Sequence, residues 1–483
     1  MLLTYGSRQG RWVLAATVGG SAVASIDATA VNIALPAIGR EFGADMSALQ
    51  WVVTAYTLTL AGLLLVAGAL GDRYGQRRIF TIGIIWFALA SLLCSVAWSA
   101  PSLIGARALQ GVGAALLTPG SLAILEAVFV PADRGRAIGA WSGLTGVASA
   151  VGPFLGGWLI QSASWRFIFA INLPIAAAVV LVARRHIPET RDPDAHGRVD
   201  MFGGVLVTLG LVGITFGLIQ GPNYAVLALG AVLLAAFIAW EHHTPSPILP
   251  LHLFRSARFS ATNLVTFVVY GALGGALFLL PLQLQEVSGY TPVQAGISLL
   301  PITVIMLALS ARSGALAARI GPRLQMSAGP VLVGLGLALF TRIGPAGTYL
   351  TEVLPAVLVL GLGLTVTVAP LTATVLAAVP ARNAGVASAV NNDVARAAAL
   401  IAVAVLPGVA GITSDAYLDA TKFTAGFHTA ALICAVLCVL AGLLAAVTIR
   451  NEDRPAQAQP VHPPHCRLDC PAPVATTSEQ VRD

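Results

Sequence analysis

Asp27 and Arg107 are the residues in this chain whose chemistry is hardest to ignore. Asp27 lies within "SAVASIDATAVNIALP", an apolar run that otherwise reads as a buried helix. An ionised carboxylate in hydrocarbon costs roughly 2.5–3.5 kcal/mol even on the lenient insertion scale, so an acid there is a functional hypothesis by default. It stands about 15 residues into its helix, roughly 22 Å at the α-helical rise. Arg107 opens another apolar run, "ARALQGVGAALLTPG", and falls at a similar depth from the far surface. A guanidinium near a carboxylate favours the charged acid, whereas desolvation opposes it. Opposed terms of that kind suit a carboxylate that must load and release a proton. A structural ion pair is the plainer alternative. Asp393 and Arg396, three apart, form a possible second buried charge pair within one helical turn. A structural pair is the preferred reading there.

Other chemistries are poorly supplied. "GVGAALL" places Gly111 and Gly113 in an apolar helix with no lysine following, so it is no phosphate loop, and no Walker-type motif occurs elsewhere. Nucleotide is therefore not expected. His462, His465, Cys466 and Cys470 crowd the "VHPPHCRLDC" stretch, but the spacing fits no common zinc module and no metal site is expected. Cys94, Cys434 and Cys438 lie in apolar runs and read as small core residues. No cleavable signal peptide is expected, because the first apolar run is too long and no small-residue cleavage pattern follows it. An enzyme is not expected, and no cofactor is called for beyond protons as the coupling ion.

The elements that hold these residues follow from composition. The 483 residues are 57% hydrophobic and 10% charged, with mean hydropathy +0.83. Soluble domains carry about 25% charge, so the chain is an integral membrane protein whose partner is the lipid bilayer. Apolar runs long enough to span a membrane recur about fourteen times, which makes the chain all-α and puts both termini on one side. Arg8, Arg11, Arg73, Arg77, Arg78, Arg134, Arg136, Arg184, Arg185, Arg255, Arg258, Arg312, Arg319 and Arg323 mark loops of one side; the others hold little beyond Arg40, Arg166, Arg342 and Lys422. The positive-inside rule makes the termini cytoplasmic and explains the net charge of +6 without nucleic acid.

The chain also repeats itself. "GALGDRYGQR" from Gly68 returns as "GALAARIGPR" from Gly314, and at the same offset Arg136 and Gly139 fall on Arg382 and Gly385. The expected organisation is a six-helix bundle over 1–190, two inserted helices over 191–245, a second six-helix bundle over 246–450 and a disordered cytoplasmic tail over 451–483. Duplicated bundles with a site at their interface are a transporter signature. Asp27 and Arg107 map onto Leu273 and Val353 in the second copy, so the fold alone does not demand the pair. The inserted helices carry no charge in their apolar runs and are expected to be peripheral and outside the translocation path.

Several motifs then agree in order. "LQWVVTAYTLTLAGLLLVAGALGDRYGQRR" resembles the second helix and following loop of the major facilitator superfamily. "SIDATAVNIALPAIGREFG", "ARALQGVGAALLTPGSLAIL", "ASAVGPFLGGWL", "FLLPLQLQEVSGYTPVQAGISLLP" and "GVASAVNNDVAR" resemble segments of its fourteen-helix drug/proton antiporter branch. The resemblance spans roughly residues 11–450. Ala148 departs from it, since the fifth-helix motif usually opens with glycine, and so does the "RAAAL" after Ala395, where many relatives have a glycine pair. The resemblance implies a major facilitator fold in which the first and fourth helices are neighbours, bringing Asp27 to Arg107 as the proton-coupling pair. It implies a cytoplasmic gate at Gly71, Asp72, Arg73, Gly75 and Arg77, facing the start of the span near 385. It implies an antiporter motif at Gly152, Pro153, Gly156 and Gly157, where close helix packing is the plainer role. Arg107, Gln110, Gly111, Ala114 and Thr118 share one helical face, expected to line the cavity with Asn32, Tyr56, Tyr270 and Gln283. The implied function is export of amphipathic or lipophilic small molecules across the cytoplasmic membrane in exchange for protons. A narrow exporter of one metabolite or antibiotic is the alternative, and a non-transporting sensor with the same fold is a more distant one.

Overall fold

In hydrocarbon every backbone N–H and C=O must be paired inside the protein, and a continuous helix does this within one segment. The computed structural model follows that rule. It describes residues 2–191, 199–221, 223–380, 383–413, 417 and 419–451. Among them are fourteen helices long and apolar enough to cross a membrane: α1 Arg8–Phe42, α2 Met46–Tyr74, α3 Gln76–Ser95, α4 Ala100–Val128, α5 Pro131–Ser162, α6 Arg166–His186, α7 Met201–Ile219, α8 Tyr224–His243, α9 Ala257–Val287, α10 Pro292–Ile320, α11 Pro322–Arg342, α12 Tyr349–Ala377, α13 Ala384–Val409 and α14 Ala420–Thr448. The tail expected over 451–483, with its His and Cys residues, lies outside the described residues from 452 onward.

Polar side chains set the helix ends. Ser7 accepts from the Gly10 N–H to start α1, and Gly43 ends it in the left-handed region at φ 60°. Asp45 caps α2, and a reciprocal Ser99–Ser102 capping box opens α4. Gly75 takes φ 109° between α2 and α3, a conformation that favours glycine.

Packing pairs the helices in a pattern that recurs. In the first half α1 packs on α5 and α6, α2 on α4, and α3 on α4 and α6. In the second half α9 packs on α13 and α14, α10 on α12, and α11 on α12 and α14. The halves meet where α2 lies against α13 and α5 against α10. The inserted hairpin is not remote from that seam. Helix α7 packs on both α2 and α13, with Leu211 buried against Leu58, Ala61 and Leu400. Helix α8 rests on α7.

One end of the seam is closed. Gln50 on α2 donates to the Val403 and Ala404 carbonyls of α13 at 2.7 and 3.2 Å. Gln285 donates to the Ile33 carbonyl at 3.0 Å, and Arg40 pairs with Glu286 at 2.6 Å. Tyr417 stands over Gly39; burial, and then the Glu286 charge, push its hydroxyl up to about 12, so it stays protonated. Gly157 meets the Pro292 backbone and Gly296 the Pro153 backbone, so α5 and α10 touch with no side chain between them.

The other end of the seam, where α1 begins and α14 ends, is open. A cavity of about 900 Å³ enters there.

Candidate functional site

Helix α1 carries polar groups on two faces, and the two faces have different destinies. Ser25 and Thr29 line the cavity. Asp27 faces the opposite way, into the first half, and is fully buried. The Arg107 guanidinium of α4, also buried, donates to Asp27 Oδ2 at 2.5 Å. Gln110, one turn along α4, donates to Oδ1 at 2.9 Å. Asn172 of α6 donates to the same oxygen at 3.1 Å. Three donors from two helices therefore satisfy one carboxylate, which is what makes a buried charge tolerable.

The donors are themselves held. Ser91 of α3 accepts from Gln110 at 2.8 Å and from Asn172 at 3.3 Å. Arg107 also donates to Gln110 Oε1 at 2.6 Å and to the Val52 carbonyl at 3.2 Å. Its guanidinium lies over the Tyr56 ring, 4.3 Å from the centroid, a cation–π contact strengthened by desolvation. Tyr56 belongs to both sites: it covers Arg107 and it lines the cavity. The carboxylate is thus walled off from the cavity in this state.

The cavity runs along α2 from Tyr56 to Asp72, 16 residues, roughly 24 Å at the helical rise. Its walls come from α1, α2, α4, α5 and α13, with Trp141, Leu60, Leu64 and Pro119 among the apolar members. Asp72, Arg73, Gln76 and Glu126 stand near its mouth, with Gly385 and Val386 also in the lining. Asp72 accepts from Gln76 Nε2 at 2.6 Å. Arg77 turns away, to Glu189 at 3.4 Å and the Ile187 carbonyl at 3.1 Å. Gly71 is buried against Gln76, and Gly75 against Glu189.

Several expectations meet a different geometry. Of the α4 face that was to line the cavity, only Thr118 does so; Arg107, Gln110, Gly111 and Ala114 are buried within the first half. Gln110 is a ligand of the carboxylate rather than a cavity residue. Asn32 and Gln283 are not among the lining residues either: Gln283 is buried and donates to Thr424 at 3.3 Å, and Asn32 Oδ1 is buried with no hydrogen-bond partner. Tyr270 borders a separate pocket of about 90 Å³ between α9, α12 and α13. Asp393 and Arg396 do not form the expected intrahelical pair. The four ion pairs among the described residues exclude them, and Arg396 instead lines the large cavity. No residue of the inserted helices lines the cavity, but Val199, Asp200, Ser246, Pro247, Ile248 and Pro250 in the segments flanking them do. Gly152 and Gly156 seat α5 on Thr29 and Ala30 of α1.

Sequence reasoning missed Ser91 and Asn172. Asn172 had a usable signal, an amide inside the apolar run "FAINLPIAAAVV". Ser91 had none, since a serine can satisfy itself on its own helix.

A family model described as Major Facilitator Superfamily matches residues 17–404. A puromycin resistance protein from Streptomyces alboniger is 36% identical over 84% of this chain and 83% of that protein. A tetracenomycin C resistance and export protein from Streptomyces glaucescens is 33% identical over 82% of this chain and 74% of that protein. Among solved structures, a bacterial homolog of the human lysosomal transporter Spinster, in an inward-facing and unoccupied conformation, superposes with TM-score 0.65. It is 16% identical and covers 92% of this chain and 98% of that one, so the likeness is one of fold.

Proposed function

The chain belongs to the major facilitator superfamily, and we propose that it exports amphipathic small molecules across the cytoplasmic membrane in exchange for protons, with both termini in the cytoplasm. One observation carries the reading. A single carboxylate, Asp27, is buried in the first half and shares the residue Tyr56, through Arg107, with a cavity large enough for a drug-sized molecule.

The chemistry follows from what each protonation state can hold. Ionised Asp27 binds Arg107, Gln110 and Asn172 and so ties α1 to α4 and α6. Protonated Asp27 loses its attraction for the guanidinium, and Arg107 must then find its compensation elsewhere. Tyr56 lies directly on that guanidinium, so a shift of Arg107 moves a cavity wall. Thr59 ties the same stretch of α2 to the Ala108 carbonyl of α4 at 2.8 Å, and α2 lies against α13 across the seam. Proton occupancy at Asp27 and shape at the cavity are linked through these contacts, and linkage is reciprocal. A substrate that favours one state therefore expels or recruits the proton. The closed end, held by Gln50, Gln285 and the Arg40–Glu286 pair, must open as the cavity mouth closes. The facing elements near the mouth are Asp72 with Arg73 and the start of α13 at Gly385.

Relatives named for single antibiotics and one named as a multidrug resistance protein alike support drug export. Tetracenomycin C is accordingly the first compound to try. Inverted vesicles carrying the full chain should accumulate a transported compound when the lumen is acidified, and lose it when the pH gradient is collapsed. Adding that compound to purified protein in weak buffer should release protons. Gradient-independent uptake, with equal proton release from wild type and Asp27→Asn, would overturn the proposal.

A further inference from the structure

Arg396 is the one basic residue at the inner end of the cavity. It stands 12 residues along α13 from Ala384, roughly 18 Å by the helical rise, and so at mid-membrane depth. A guanidinium offers five N–H donors in a planar fork. The guanidinium of Arg107 is fully engaged, and Arg40, Arg77 and Arg166 each hold a carboxylate. Among the described residues Arg396 has neither a hydrogen bond nor an ion pair, and its Nε is enclosed with no partner. Asp393 is the nearest candidate to neutralise it. That acid lies outside the cavity lining with its Oδ1 buried and unpartnered, and it feels the Arg396 charge only through space, without a salt bridge.

The surroundings point the same way. Thr145 of α5, which also lines the cavity, has a hydroxyl with no partner. Asn392 and Ser149 add further amide and hydroxyl groups, whereas Ala24, Ala28 and Leu60 are apolar. No carboxylate lines this inner part; the lining acids Asp72, Glu126 and Asp200 stand toward the mouth. A half-buried guanidinium with no bonded anion, at the inner end of a cavity, disfavours a cation there and can take a carboxylate or phenolate through paired hydrogen bonds.

We propose that Arg396 is the anion-recognition residue of this cavity, and that the compounds it takes are amphipathic acids: an apolar body carrying one carboxylate or acidic hydroxyl. The inference rests on the transport reading and narrows its substrate class.

Three fluorescent probes with one pyrene body separate charge from hydrophobicity: 1-pyrenebutyrate, 1-pyrenebutanol and a pyrenebutyl-trimethylammonium salt. Binding to the purified full chain in lipid nanodiscs at pH 8 is the measurement. The butyrate should bind at least about tenfold more tightly than the alcohol, the range expected for hydrogen bonds to a charged group. Arg396→Gln should weaken the butyrate by about ten- to a hundredfold and leave the alcohol within about twofold. Arg396→Lys should keep part of the preference. The wild-type probe series needs no variant to fold. Equal affinity for butyrate and alcohol, tighter binding of the ammonium probe, or equal weakening of all three in Arg396→Gln would overturn the assignment. Preference for the ammonium probe together with gradient-driven transport would sink this inference and leave proton-coupled export standing. Acid preference without any proton release would do the reverse.

Discussion

Replacing Asp27 with asparagine leaves the shape of the site nearly intact and removes one charge. The carboxylate now accepts from Arg107 at 2.5 Å, Gln110 at 2.9 Å and Asn172 at 3.1 Å. Asparagine has one oxygen where aspartate has two, and its NH₂ would face the Gln110 and Asn172 donors. Arg107, about 1% exposed, would keep the amide oxygen, Gln110 Oε1, the Val52 carbonyl and the Tyr56 ring, all neutral, and would have no anion. Breaking a buried pair by removing one partner typically costs about 3–5 kcal/mol, much of it the stranded charge. Asp27→Asn should therefore be destabilised by about that amount, and Arg107→Gln by a similar amount. The double variant removes both charges and should regain most of the loss, since neutral replacement of a buried pair is often near neutral. A double-mutant cycle of unfolding in mixed micelles reads this directly. Additive losses in the double variant would refute the claim that the two residues stabilise one another as charges. Transport separates stability from coupling. One pH unit is worth about 1.36 kcal/mol, or a tenfold concentration ratio for one proton per substrate. Wild type should sustain up to that ratio, whereas the double variant, although stable, should equilibrate substrate at a ratio of about one.

Three further outcomes follow from the geometry. Asp72→Asn should slow turnover while leaving substrate affinity unchanged, because Asp72 stands near the cavity mouth and holds Gln76; a wild-type rate at equal expression would leave it a loop acid with no gating role. Gly157→Val should destabilise the closed end by about 1–3 kcal/mol of overpacking, since even a Cβ there meets the Pro292 backbone. Distance measurements between spin labels on α5 and α10 should show the seam widened, and an unchanged distance distribution would contradict the contact. Ser246→Cys should react with polar thiol reagents and be protected by substrate, whereas Gly213→Cys, packed against Gly230 inside the hairpin, should not. Labelling of both positions alike would put the whole hairpin in the path.

Much of this protein was legible in residue order alone. Fourteen apolar runs announce fourteen helices because hydrocarbon leaves the backbone no alternative but internal hydrogen bonding. The charge of Asp27 stood out against that background for the same reason, and equal depth along two helices made Arg107 its natural partner. Which way a polar side chain faces is a different matter. Helical periodicity puts Arg107, Gln110 and Thr118 on one stripe, but α4 is crossed by α2, α3 and α1 at different heights. The stripe is therefore buried at one level and open at another. Gln110 became a partner of the carboxylate and Thr118 a wall of the cavity. The same holds on α13, where one-turn spacing permits an Asp393–Arg396 pair. The packing of α13 at the seam turns Arg396 to the cavity and leaves Asp393 behind it. It holds again for the inserted hairpin, whose apolar helices gave no hint that their polar roots at Asp200 and Ser246 would border the cavity. Composition and spacing determine what a helix can offer on each face. Only the set of neighbours at each height decides whether a face meets lipid, protein or water, because that choice depends on residues hundreds of positions away in the chain.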